Sequence, residues 1–141
     1  MFEERYTFGT RLQGPFDDIR EAVIAALKTE GFGVLTEIDV AATLKAKLDV
    51  DRPPYRILGA CNPPFAHRAI ETDPSIGALL PCNVVVRSDG DAVVVEMMDP
   101  KAVLGMVGRP EVDDVAAEVR TRLERVVGVV AGQYPVTEAI A

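Results

Sequence analysis

The sequence predicts a single compact α/β domain in which helices pack on a mixed sheet containing one β-hairpin. Three observations carry this reading. Apolar residues recur at helical spacing over two stretches, Phe16 to Leu27 and Val112 to Val130. Short runs rich in Val, Ile and Leu lie between them. Two of those runs are joined through Asp89-Gly90, a strong hairpin signal. The 141 residues suit one domain, and a hydrophobic fraction of 48% is enough to fill its core. The resulting order is β-α-β-α-β-α-β-β-α, and layering helices on a sheet buries the apolar side of each.

The elements follow in turn. Tyr6 to Leu12 alternates loosely and reads as a strand. Pro15 suits the first turn of a helix whose stripe is Phe16, Ile19, Val23, Ala26 and Leu27, and Gly31 fits its stop. Phe32 to Val40 reads as a strand and Ala41 to Leu48 as a short helix, before the break Asp51-Arg-Pro-Pro54. Tyr55 to Ala60 is a strand. Asn62 as N-cap and Pro63 as first helical residue then open a helix to about Thr72, with Phe65, Ala66, Ala69 and Ile70 on its apolar face. Cys82 to Arg87 and Ala92 to Met98 form the hairpin. Met97, Met98, Leu104, Met106 and Val107, around Pro100, form an apolar stretch that a cofactor cleft or dimer surface could use, and that otherwise reads as a loop folding over the core. The valine-rich stretch to Val130 is a long helix, with Glu118 and Arg122 paired on its wet side. The domain therefore spans residues 1–131, and 132–141 are expected to be a loose tail.

Composition removes several classes of function. A net charge of -7 repels phosphate backbones, so nucleic acid is not an expected partner. The longest apolar runs, Val84-Val-Val86 and Val93-Val-Val95, fall far short of the roughly 20 residues that span a bilayer, so neither is a membrane. The first residues lack the order of a signal peptide, and the expected location is the cytoplasm. Two cysteines there are reduced thiols more readily than a structural disulfide. Neither a dinucleotide glycine fingerprint nor a P-loop is present.

Three phrases converge on a known family: Gly31 to Val40 with Thr43 to Leu48, Tyr55 to Pro63, and Gly77 to Val84. In this order they resemble the small prokaryotic family called domain of unknown function 302, over about residues 1–130. The positions matching its motif are Glu37, Asp39, Lys45, Lys47, Cys61, Asn62, Pro63, Cys82 and Asn83. The resemblance implies a compact α/β fold, often a homodimer, and brings no established activity.

The residues themselves leave several chemistries open. Cys61 ends a strand where a helix begins, a place where unpaired backbone N–H groups can favour a thiolate, so it is the candidate catalytic residue. Cys82 could resolve it, but both thiols are equally accounted for as small core residues. Asn62 and Asn83 are candidate ligand contacts or simple turn residues. His67, the single histidine, could act as a base, a metal ligand or an axial ligand to haem, or be an ordinary helix residue. A zinc site would need Cys61, Cys82, His67 and a carboxylate to converge, and no compact metal spacing is present. Glu37 and Lys45, with Asp39 and Lys47, could orient an anion or form solvated ion pairs. The leading expectation is a small-molecule or cofactor-binding domain, haem included, with a pocket near Cys61-Asn62-Pro63. The alternatives are a thiol-dependent enzyme or redox protein using Cys61, and a structural interaction protein working through the last helix and tail.

Overall fold

Apolar periodicity becomes secondary structure at nearly every expected position. The computed structural model describes residues 1–137. Its elements are β1 (Phe2–Glu3), β2 (Thr7–Leu12), α1 (Phe16–Thr29), β3 (Gly33–Asp39), α2 (Val40–Leu48), β4 (Tyr55–Cys61), α3 (Pro63–Thr72), a 3-10 turn (Pro74–Leu79), β5 (Cys82–Asp89), β6 (Ala92–Met98), α4 (Pro100–Leu104), a second 3-10 turn (Gly105–Val107) and α5 (Pro110–Ala131). The expected strands and helices are all present in their expected order. Two pieces are additional. β1 is too short to show a period. α4 replaces the loop expected around Pro100: Asp99 caps it by accepting from the Lys101 N–H at 3.0 Å, and Pro100 supplies a first helical residue.

The six strands form one sheet in the order β1-β2-β6-β5-β4-β3. Of the pairings a mixed sheet allows, the ladders use the antiparallel kind throughout. Helix α1 carries the chain from β2 to the far edge at β3, and later segments fill the gap between them.

Directly opposed residues in an antiparallel ladder share a face. Phe8 and Leu12 on β2, Val93, Val95 and Met97 on β6, Val84 and Val86 on β5, and Leu58 and Ala60 on β4 are buried on one side. Against them pack α1, through Ile19, Val23 and Leu27, and α5, through Val119, Leu123, Val126 and Val130. A second, smaller apolar cluster joins Ala69 of α3, Ile76, Leu104 of α4, and Val112 and Ala116 of α5. Helix α2 buries no residue.

The segment after α5 is tied down as far as Thr137. Gln13 N–H donates to Pro135 O, Thr137 N–H donates to Arg11 O, both at 2.8 Å, and Val136 bridges Leu12. The loose tail expected from residue 132 therefore has backbone partners through 137, and its remainder lies outside the described residues.

Arg120 closes the far end of the molecule. It is 9% exposed, stacks over the Phe8 ring at 3.8 Å and meets Asp99 (2.8 Å), Glu124 (2.8 Å) and Glu3. Burial works against its charge, but the three carboxylates outweigh burial and hold its pKa above the ordinary guanidinium value. Arg120→Ala leaves Asp99 without its partner at a largely buried site. The expected loss is about 2–3 kcal/mol of unfolding free energy, less than for a fully buried pair because Glu3 and Glu124 reach water. Urea unfolding of the two proteins measures it; a loss below about 0.5 kcal/mol would show that Arg120 is not a structural tie.

Candidate functional site

The strand β4 ends and α3 begins within two residues, at Cys61 and Asn62. Asn62 takes the N-cap position by backbone geometry, but its side chain makes no cap bond. Its Nδ2 instead donates to Glu30 O at 3.2 Å, across the turn after α1. The same carbonyl accepts from Arg122 of α5 at 3.1 Å. Gly31 has φ +85 there, and an added Cβ would stand 3.1 Å from Asn62 Nδ2. Asn62 is thus a latch among α1, β3 and α3.

Pro63 and Pro64 occupy the first two helical positions of α3. Proline has no N–H, so two of the donors that make a helix start attractive to an anion are missing. Ala66 N–H makes the first intrahelical bond, to Asn62 O at 2.9 Å, so of the four residues whose N–H groups a helix start leaves unpaired only Asn62 and Phe65 carry one. The thiolate-favouring helix start expected at Cys61 is weakened for that reason. Both thiols are free. Burial pushes the Cys61 thiol up from its ordinary value. Cys82 is pushed up to about 11, by burial first and by the proximity of Cys61 second. At pH 7 a thiol of that pKa is ionised in about one molecule in ten thousand.

Behind this junction lies an apolar cavity of about 290 Å³. It sits at the seam of the two hydrophobic clusters, taking Phe32, Ala60, Cys82, Val115 and Val119 from one and Ala69, Leu80 and Leu104 from the other side. The space exists because α3 presents Ala66 and Ala69 inward, side chains too short to fill the gap to α5. Leu35, 66% exposed, and Ile70, 41% exposed, also line it and mark its mouth. Phe65 forms a wall, held under the guanidinium of Arg122 at 5.0 Å and of Arg68 at 5.8 Å.

The residues singled out by sequence divide. Cys61, Asn62 and Cys82 line the cavity. His67 is exposed on α3 and does not line it. Asn83 is exposed beside Arg87 and Glu96, in a groove on the other face of the sheet. Glu37 pairs with Arg20 at 2.9 Å and with Arg56 at 3.7 Å. Asp39 caps α2 through the Ala42 N–H and pairs with Arg56. Lys45 pairs on the surface with Asp49 and Asp51, which raise its pKa. Among the described residues no three of His, Cys, Asp and Glu converge as metal ligands, so the grouping that zinc would require does not form. Leu104 comes from the apolar stretch that the sequence offered to a cofactor cleft, whereas Val115 and Val119 were legible only as part of the last helix's stripe. The available signal was the pair of alanines on the apolar stripe of α3.

Comparison with known proteins places the chain. The family model "Domain of unknown function DUF302" matches residues 8–130. A crystal structure of an uncharacterized conserved DUF302 protein from Bacillus stearothermophilus is 28% identical, with a TM-score of 0.83 over 89% of this chain and 98% of that one. An uncharacterized protein of Aquifex aeolicus (strain VF5) is 24% identical over 108 residues, 74% of this chain and 69% of that protein.

The thiol shifts set a pH window for reactivity. A raised folded pKa means that the neutral thiol persists as pH rises. Cys82 is therefore expected to resist iodoacetamide through pH 9 and to gain rate only toward pH 11. The same shift makes folding lose stability as pH rises from about 9 toward 11, because the unfolded chain ionises first. Mass-spectrometric alkylation rates against pH, read in Cys61→Ala to isolate Cys82, check this; a half-maximal rate near pH 7 would contradict it.

Proposed function

The chain belongs to the DUF302 family, a small prokaryotic domain of unknown function, and from that premise we propose that it is a small-molecule-binding domain. Its ligand is neutral and largely apolar, held in the cavity between α3, α5 and the end of the sheet. The observation that carries this reading is the cavity itself: about 290 Å³, lined almost wholly by carbon, with exposed Leu35 and Ile70 at its mouth. An engineered apolar cavity of about 150 Å³ admits benzene, so this one matches roughly two fused rings or an acyl chain of about ten carbons.

The thiol-dependent enzyme is the weaker reading. It needs a thiolate at Cys61, whereas burial raises that thiol and Pro63-Pro64 removes two of the donors that would lower it. Haem loses the axial ligand that the sequence suggested, because His67 does not line the cavity. The cytoplasm suits two reduced thiols, and among the described residues no helix is long and apolar enough to cross a membrane. We propose further that the domain works as a homodimer.

Naphthalene is a suitable probe of the cavity. At about 100-fold above its dissociation constant, a bound ligand adds ~2.7 kcal/mol of stability, on the order of 5–10 °C in Tm for a chain of this size. Ala66→Phe should fill the cavity and remove most of that shift while leaving the variant folded. Absence of a shift with naphthalene and with decanol in the wild-type chain, or an undiminished shift in Ala66→Phe, would remove the cavity as the binding site.

A further inference from the structure

The apolar cavity has one strong hydrogen-bonding side chain in its wall. Of the side chains that line it, those of Cys61, Asn62 and Cys82 carry a hetero-atom. Thiols donate and accept weakly, and burial keeps the Cys82 thiol neutral. An amide is different, with a carbonyl acceptor and two N–H donors. Asn62 is only 6% exposed, so any of these groups left without a partner costs desolvation energy.

Only one end of that amide is engaged. Nδ2 donates to Glu30 O at 3.2 Å. The carbonyl it meets fixes which way round the amide sits, because Oδ1 in that place would face a second acceptor. At an ordinary N-cap, Oδ1 would accept from the second or third helical N–H. Pro64 has no N–H to give, and no cap bond forms from Phe65. Among the described residues, Oδ1 takes no donor. Nor is it sealed off: the side-chain atoms shut from the surface without a partner are Nε of Arg11 and Nε of Arg20. Oδ1 is thus a free acceptor on a nearly buried residue that lines a cavity, and an occupant with a donor would satisfy it.

The rest of the lining narrows what that occupant is. No cation lines the cavity; Arg68 and Arg122 lie over the Phe65 ring and are not part of the wall. A carboxylate head would enter without a counter-charge and has no proton for Oδ1. An aliphatic amine is charged at neutral pH and would lose its hydration in an apolar space. A hydrocarbon or an ether fills the volume but leaves Oδ1 unpaired. A hydroxyl donates to Oδ1 and stays neutral.

The geometry points to Asn62 Oδ1 as the polar anchor of the cavity, and to an apolar alcohol, a hydroxyl on a hydrocarbon body of about ten carbons, as the class of ligand it takes. This rests on the cavity-binding reading above and adds orientation and selectivity to it. The hydroxyl end lies at the junction of β4 and α3, and the hydrocarbon lies among Ala66, Ala69 and Leu104. The bond from Nδ2 to Glu30 O holds the amide before the ligand arrives, so little side-chain freedom is lost on binding. A few placed polar groups in a carbon-rich pocket are the usual means of fixing a ligand's orientation.

Fluorescence titration of the full chain at neutral pH tests it with three probes of one shape: naphthalene, 2-naphthol and 2-methoxynaphthalene. The naphthol should bind about 10-fold more tightly than naphthalene, the effect of one added hydrogen bond shielded from water. The methyl ether has no proton to give and should bind no more tightly than naphthalene. In Asn62→Leu, with far-UV circular dichroism as the folding control, the advantage of the naphthol should vanish. Loss of the tie to Glu30 in that variant acts on both probes alike and leaves their ratio unchanged. A naphthol that binds no better than naphthalene would overturn the anchor and leave the cavity as a binding site. An ether as tight as the naphthol would make the protein the donor and overturn the role of Oδ1, whether or not Asn62→Leu folds. An advantage that survives in folded Asn62→Leu would place the anchor on another residue. Failure of all three probes to bind would remove the cavity reading itself, and this inference with it.

Discussion

Helix α5 is the constraint on which the other elements depend. Its stripe from Val112 to Val130 supplies fully buried residues to both apolar clusters. The N-terminal third meets α4 and the end of α3, and the C-terminal part meets α1 and the sheet. Each fully buried Val or Leu contributes about 1.5–3 kcal/mol. The flank of the same helix carries the ties. Arg120 gathers Glu3, Asp99 and Glu124 at one end of the sheet, while Arg122 and Arg125 hold Glu30 at the turn after α1. Without the long helix the space between the two clusters would lose its wall of Val115 and Val119.

The cavity is a consequence of that arrangement. Two clusters that share one helix leave a seam, and a seam fills only when the crossing helix carries large side chains. Helix α3 carries Ala66 and Ala69 there. A void of this size forfeits dispersion contacts along its whole lining, which a ligand would restore. The same carbon-rich lining removes water from Cys82 and keeps its thiol neutral, so the environment that suits an apolar guest is hostile to nucleophilic sulfur. One physical cause, low local polarity, thus favours the binding reading and disfavours the thiol enzyme.

The two faces of the sheet divide the molecule into unlike halves. One face is sealed by helices and holds the cavity at its margin. The other holds paired charges beside the row of Val85 and Ile57. Asn83 belongs to this second half although Cys82, its neighbour in sequence, lies on the first. The strand's two-residue period sends consecutive side chains to opposite sides. Adjacent residues of one motif therefore serve different surfaces.

Much of this was legible in the sequence, because local physics wrote it. Hydrophobic period placed α1, α5 and the Val-rich strands, Asp89-Gly90 placed the hairpin, and Pro63 placed the start of α3. Even the weak helix-start field at Cys61 could have been read from the absence of two proline N–H groups. Asn62 could not. Its cap position is local, but its hydrogen bond runs to Glu30, 32 residues away. Nor could the scatter of the proposed site residues be read, since His67 faces solvent and Glu37, Asp39 and Lys45 are used up in capping and ion pairs. Period and capping depend on neighbours within a few positions, whereas the cavity and the second face of the sheet arise from segments brought together across the chain, such as Ala66 and Val119 around the cavity and Ile38 beside Ile57 and Val85. Only the folded packing decides which short side chains leave a void and which strand positions share a face.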